Sequence, residues 1–295
     1  LNNCYLQKDP SNAIRLAVKQ FADKHKLTYF DIRSQKGLLR NLMIRTSSTN
    51  DLMVLVQFFE ADKKSIHLVM EHLKTTFPEI TSLLYIINQK ANNTMYDQEV
   101  VCYSGKDHIV EEMDGLYFKI GAISFFQTNS EQAKVLYRKT KELARIKPNE
   151  LVYDLYTGTG TIAQYVAKSA AKVVGIDSVE EGIKAACENA KRNGITNCTF
   201  YTGDMKAIFT DDFILKNGTP DVIITDPPRD GMHKQVVEQL LKIGAKRIVY
   251  VSCNSATQAR DLALLAEKYE VTHIQPIDMF PQTHHVENIV VLELK

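Results

Sequence analysis

The sequence predicts an α/β chain in which a doubly wound, mostly parallel seven-stranded sheet follows a smaller α+β unit. From Leu151 onward, seven short apolar runs (LVYDLY, KVVGID, CTFYTGD, PDVIITD, KRIVYVSC, VTHIQPIDMF and NIVVLELK) alternate with helical stretches, the rhythm of a parallel sheet wrapped by helices. Seven candidate strands in this order suit a doubly wound sheet whose last strand returns antiparallel. The first part lacks this alternation and reads as a helix, a hairpin and further strands.

In chain order, Ser11 to Lys24 places Ile14, Val18 and Phe21 on one helical face, with Asp9-Pro10-Ser11 as start signals. RNLMIRTS and DLMVLVQFF flank a polar turn and predict a hairpin. A helix over Ser65 to Leu73 and strands at SLLYIIN, EVVCYS, HIVEEM and LYFKIG complete this unit, which spans 1–129. Residues 130–150 form a connecting helix and linker closed by Lys147-Pro148-Asn149-Glu150, and 151–295 hold the large sheet.

A chain of 295 residues with 44% hydrophobic content is long enough to bury a substantial core. No apolar run is long enough to span a bilayer and the first residues lack a signal-peptide layout, which predicts a cytoplasmic protein with no membrane partner. The chain opens on Leu1 rather than Met, which predicts a fragment or processed chain. Five scattered cysteines lack the spacing of a zinc site or disulfide scaffold. A net charge of +1 is weak for gripping a polyanion, so composition alone does not point to nucleic acid.

Ligands of doubly wound sheets bind beyond the carboxyl ends of the strands, which makes the residues closing each run the candidates. The first run ends in DLYTGTGT, where Gly158 and Gly160 let the backbone turn sharply and helix entry at Thr161 directs amides toward a ligand. Asp177 closes the second run, placed to accept from both hydroxyls of a ribose, and Asp204 the third, where it can bind an adenine amino group. Gly158-x-Gly160-x-x-Ala163 followed by Asp177 fits both a dinucleotide and S-adenosylmethionine. Acids closing four successive runs favour the methyl donor.

The fourth run delivers Asp226-Pro227-Pro228-Arg229-Asp230-Gly231, a stiff turn presenting Asp226 and Arg229. Such a DPP loop also suits methylation of an amino group, although those enzymes usually follow the prolines with an aromatic residue. The fifth run ends at Ser252-Cys253-Asn254, putting a thiol at the mouth of the site; an electropositive, partly exposed setting would favour the thiolate that attack requires. The alternative for Cys253 is a buried structural cysteine. Before the last run, DMFPQTHHVE carries His284 and His285, adjacent side chains that diverge and lack a metal-ligand pattern, and then Glu287, a base held near Cys253.

The DPPRDG stretch, IVYVSCNSAT, DMFPQTHHVE and, upstream, Ser124-Phe125-Phe126-Gln127-Thr128-Asn129 resemble the signature blocks of bacterial RNA uracil-5-methyltransferases. The resemblance implies the seven-stranded Rossmann-like sheet of S-adenosylmethionine-dependent methyltransferases and transfer of a methyl group to carbon 5 of a uridine, in 23S ribosomal RNA ahead of transfer RNA. It implies Cys253 as the nucleophile and Glu287 as the base. Cofactor contacts are expected from Gln127, Tyr156, Gly158, Gly160, Thr161, Asp177, Asp204 and Asp226, with Thr161 replacing an amide side chain. Phe126, Gln127, Arg229 and Asn254 are expected to meet the RNA, with Gln127 on either cofactor or uracil. No obligatory protein partner is expected, and no metal on this chain. Relatives of the ribosomal type carry an iron–sulfur [4Fe-4S] cluster on four cysteines, and Cys4 resembles the last of them, so a cluster is expected only in a longer chain. The competing non-enzymatic reading is an RNA-binding protein with a degenerate cofactor fold.

Overall fold

The computed structural model describes residues 3–5, 7–95 and 97–295. Two compact units emerge: the described residues of 1–112 with 119–124, and 113–118 with 125–295.

In the first unit, α1 (Ser11–Lys24) and α2 (Lys63–Thr76) cover a four-stranded sheet in the order β1 (Leu39–Thr46), β2 (Leu52–Phe58), β3 (Ser82–Ile87), β4 (Val101–Gly105). β1 and β2 form the expected antiparallel hairpin, while α2 carries the chain over so that β3 runs parallel to β2. Every residue of β2 is buried. Ile14 of α1 joins Ile66, Val69, Met70 and Leu73 of α2 in one core, with Val18 and Phe21 packed at its margin. α1 starts at Ser11 as expected, with Pro10 as the N-cap making no side-chain bond and the Ser11 hydroxyl buried without a partner. β5 (His108–Met113) and β6 (Leu116–Gly121) pair as a separate ribbon.

The second unit contains α3 (Ser130–Ala144), which packs within it on the helix and strands that follow. These are β7 (Leu151–Leu155), α4 (Thr161–Ala167), β8 (Lys172–Asp177), α5 (Glu180–Arg192), β9 (Cys198–Thr202), α6 (Met205–Ile208), α7 (Asp211–Asn217), β10 (Val222–Thr225), α8 (Lys234–Ile243), β11 (Arg247–Ser252), α9 (Ser255–Leu265), β12 (Tyr269–Ile277) and β13 (Glu287–Leu294). The seven-stranded sheet has the order β12-β13-β11-β10-β7-β8-β9. β7 to β11 are parallel, and β13 is inserted antiparallel between β11 and β12. The order reverses at β7, where the chain moves out through β8 and β9 and then returns to β10, which opens a crevice at the strand ends. Beneath lies a core of Tyr153, Ile176, Ile223, Ile248, Tyr250 and Leu292. Because β13 is antiparallel, its first residue lies at the same edge as the last residues of β7 to β11.

Candidate functional site at the strand ends

The chain leaves β7 through Tyr156 at φ 63°, an uncommon conformation for a bulky residue, and turns at Gly158 and Gly160. A Cβ on Gly160 would come within 2.8 Å of the Ala186 Cβ and 3.0 Å of the Phe200 ring, so only glycine fits there. Asp177 braces this loop: Oδ2 accepts from Gly158 N at 2.9 Å and Oδ1 from Val179 N at 2.8 Å. Each oxygen keeps a lone pair for a further donor. Thr161 is buried and its hydroxyl pairs with that of Thr159 at 3.1 Å. The amides of α4 are less free than expected, because Ala163 N donates to Asp154 Oδ2 at 3.0 Å. Asp204 caps α6 by accepting from Lys206 N at 3.1 Å and pairs with Lys206 Nζ at 3.6 Å.

Asp154 closes the first run of the sheet. It is 1% exposed, and while Oδ2 also accepts from Thr157 Oγ1 at 2.5 Å, Oδ1 is buried without a partner. Burial pushes this carboxyl up to about 7 despite the hydrogen bonds from Thr157 and Ala163. Asp226 is raised well above the usual carboxylate range by burial, then by Glu287 and Asp154. Burial also raises Glu287, with Arg229 opposing. Tyr137 on α3 faces the same acids, and its buried phenol is pushed up by desolvation and then by Asp226. Nothing in the spacing of α3 singles out Tyr137.

The antiparallel register pairs Ser252 of β11 with Asn288 of β13, so one step further Cys253 stands opposite Glu287. The thiol is half-buried, and its surroundings are more acidic than the electropositive setting that would favour a thiolate. Burial and then Glu287 raise its pKa, Asp226 adds to this, and the hydrogen-bonding Arg229 guanidinium offsets only part. The cause is convergence: strands far apart in sequence bring acids to one thiol.

The Asp226–Gly231 loop is anchored from α9. Asn254 Nδ2 and Thr257 Oγ1 both donate to the Arg229 carbonyl at 3.0 Å, while Asn254 Oδ1 caps α9 by accepting from Ala256 N at 3.1 Å. Asn254 thus uses its amide within the fold. Gly231 turns at φ +75°, where a Cβ would meet Asp261 Oδ2 at 2.7 Å. Asp261, 1% exposed, accepts from Tyr250 OH at 2.7 Å and Met232 N at 2.8 Å, fixing the loop from below. As an acid in a polar helical stretch, it gave no sign of this in the sequence. The Arg229 Nη2 reaches His285 Nδ1 at 3.0 Å.

Phe126 and Gln127 fall in the second unit. Phe126 is buried with its ring 6.2 Å from Phe118, Gln127 is half-buried, and Asn129 Nδ2 donates to Met279 O at 2.8 Å, tying this segment to DMFPQTHHVE. Cys253, Glu287, Asp226 and Arg229 therefore meet, and Gly158, Gly160 and Asp177 form one turn. Cys4 belongs to the first unit, its backbone N and O bonded to the Asn12 side chain at 2.9 and 3.0 Å. Among the described residues there is no group of three or more His, Cys, Asp or Glu able to hold a metal, and no helix long and apolar enough to cross a membrane.

Residues 86–295 match the profile of the family described as tRNA (Uracil-5-)-methyltransferase. A curated relative from Bacteroides thetaiotaomicron, named an uncharacterized RNA methyltransferase, is 55% identical over 298 residues, covering 100% of this chain and 66% of the relative. One of the same name from Porphyromonas gingivalis is 53% identical over 296 residues, covering 99% and 64%. The chain thus spans just under two thirds of the length of these relatives. Among solved structures, the Pyrococcus abyssi tRNA (uracil-54, C5)-methyltransferase in complex with S-adenosyl-L-homocysteine matches with a TM-score of 0.83 and 31% identity, over 99% of this chain and 69% of that one.

Proposed function

The chain belongs to the tRNA (uracil-5-)-methyltransferase family, and from that premise we propose that it transfers a methyl group from S-adenosylmethionine to carbon 5 of a uridine in RNA. The observation that carries the reading is the placing of Cys253 opposite Glu287 on neighbouring strands, beside Asp226 and Arg229.

The strand-end residues fit the cofactor. Asp177 retains acceptor capacity for two ribose hydroxyls after bracing Gly158 and Val179. Asp154 and Asp226 are buried acids raised in pKa, and the orphaned Asp154 Oδ1 marks a place where a positive guest offsets the cost of burial. Gly158, Gly160 and Tyr156 shape the turn over which the nucleoside lies, with Thr161 behind it and Asp204 at its far end.

Carbon 5 of uracil is a poor nucleophile until a group adds at carbon 6. The Cys253 thiolate forms the carbon–sulfur bond there, moving the ring double-bond electrons toward carbon 5 and its neighbouring carbonyl. S-adenosylmethionine, when bound, supplies that carbon with a methyl group on a sulfonium that departs as a thioether. Glu287 then takes the proton from carbon 5, the double bond re-forms, and the Cys253 thiolate is expelled. A raised pKa suits a carboxylate to hold that proton. Arg229 stabilises the anionic sulfur at both ends of the cycle, and Asp226 with Gln127 orients the ring. The base leaves its stack to reach the thiol, which favours a single-stranded or flipped uridine. Phe126 acts by supporting the Gln127 segment, and the first unit helps hold the RNA.

We take 23S ribosomal RNA as the substrate, supported by the Cys4 sequence context. The transfer RNA reading is favoured by the name of the Pyrococcus abyssi protein. Methylating both RNAs side by side separates them. For the chemistry, Glu287→Gln is expected to methylate its RNA once and accumulate a denaturation-resistant protein–RNA adduct, which adding Cys253→Ala abolishes. Normal turnover by Glu287→Gln without an adduct contradicts the assignment. Amino-group methylation needs no thiol and would leave Cys253→Ala active. A degenerate cofactor fold would show no heat of binding with S-adenosylhomocysteine.

A further inference from the structure

The paired histidines of DMFPQTHHVE have no part in the chemistry above. Their rings lie tilted against each other with centroids 4.2 Å apart, and His285 N donates to Thr283 Oγ1 at 3.1 Å, fixing the backbone there. His285 Nδ1 lies 3.0 Å from Arg229 Nη2. A guanidinium has only donors, so Nδ1 must be the acceptor and the ring neutral, with its proton on Nε2. The backbone of Arg229 is already held through its carbonyl by Asn254 and Thr257. What remains to be set is the direction of a long side chain, and His285 sets it.

We propose that His285 is a positioning residue that holds the Arg229 guanidinium against the Cys253 thiol and releases it when the imidazole is protonated. The proposal deepens the reading of the site given above and rests on it. Protonation turns Nδ1 into a donor and sets two cations face to face, so the bond cannot survive it. The charged or titratable groups around this contact are Arg229 itself, His284 beside it, and Cys253, Asp226 and Glu287 on the far side of the guanidinium. Burial, His284 and Arg229 all lower the His285 pKa from 6.5, so the neutral form is the one present at neutral pH.

The first test is alkylation of the free protein by iodoacetamide, followed peptide by peptide, with Cys102 and Cys187 as exposed internal standards. His285→Ala is expected to slow alkylation of Cys253 at pH 8 by about three- to tenfold, the effect of raising a thiol pKa by up to about one unit. His285→Asn, whose side-chain oxygen can stand where Nδ1 stood, is expected to restore the rate. Equal rates in wild type and His285→Ala, or failure of Asn to restore, overturn the proposal. The second test is the pH profile of covalent capture of RNA containing 5-fluorouridine in the presence of S-adenosylmethionine. Wild type should lose capture in an acid limb that lies below the ordinary histidine range, because the His285 pKa is lowered, while His285→Asn should not. A shared acid limb overturns the switch. If wild type captures no RNA at any pH while the alkylation pattern holds, the uridine reading fails and the positioning of Arg229 stands.

Discussion

At the amino ends of the large sheet, Asp221 accepts from Leu151 N at 3.0 Å and from Lys246 Nζ at 2.8 Å, and Glu293 accepts from Arg247 at 2.8 Å. At the carboxyl ends, Asp154, Asp226 and Glu287 converge, and Arg229 opposes the rise in the Glu287 pKa. The pKa values follow suit: Lys246 holds Asp221 below the usual range, while burial pushes the three carboxyl-edge acids up. One edge uses charge to fasten strands and helices together. The other keeps uncompensated charge in place, the arrangement expected where a guest completes the electrostatics.

Substitutions at the two edges should therefore separate stability from activity. Asp226→Asn is expected to lower methylation by about a hundredfold or more, the scale of removing a preorganised electrostatic group. Its denaturant midpoint should hold or rise, because a buried carboxyl that resists ionisation is replaced by a neutral amide. Arg247→Ala is expected to behave in the opposite way. It strips Glu293 of its partner and the Ala144 carbonyl of a 2.8 Å bond, at a cost of about 2 kcal/mol in urea unfolding, with cofactor affinity unchanged. Activity loss with normal stability in Arg247→Ala would break the contrast between the edges.

A pH series sharpens it. Asp154 is raised from 3.8 to about 7 in the folded chain, so it takes up protons more readily folded than unfolded. Its stabilising contribution is full below the unfolded value and is lost as pH rises toward about 7. Asp154→Asn should thus gain stability relative to wild type between those limits, measured by thermal unfolding without cofactor, and a flat difference would contradict the burial. The smallest expected effect concerns the thiol. S-adenosylmethionine, carrying a positive sulfonium, should speed alkylation of Cys253 by about threefold or more, whereas neutral-sulfur S-adenosylhomocysteine should not, since one pKa unit is a tenfold change in thiolate.

Much of this was legible in the sequence because it is local. Strand runs, the glycine turn and the acids closing each run are properties of a few consecutive residues, and the order of the blocks placed Cys253 and Glu287 at one edge. The electrostatics were not legible. The setting of Cys253 depends on Asp226, Arg229 and Glu287 arriving from three other places in the chain. Tyr137 reaches the acids from a helix that precedes the sheet, and the Asn129 bond to Met279 O spans 150 positions. Asp261 sits in a helix whose composition reads as solvated, and it is buried because Gly231 leaves room above it.

The most direct measurement is intact and peptide mass spectrometry of the protein incubated with S-adenosylmethionine and 5-fluorouridine-containing RNA. Fluorine at carbon 5 cannot be taken by Glu287, so the expected result is a single RNA adduct that carries the transferred methyl group and maps to Cys253. An adduct on another residue, or none where the same RNA bearing uridine is methylated, would contradict the assignment of Cys253 as the nucleophile.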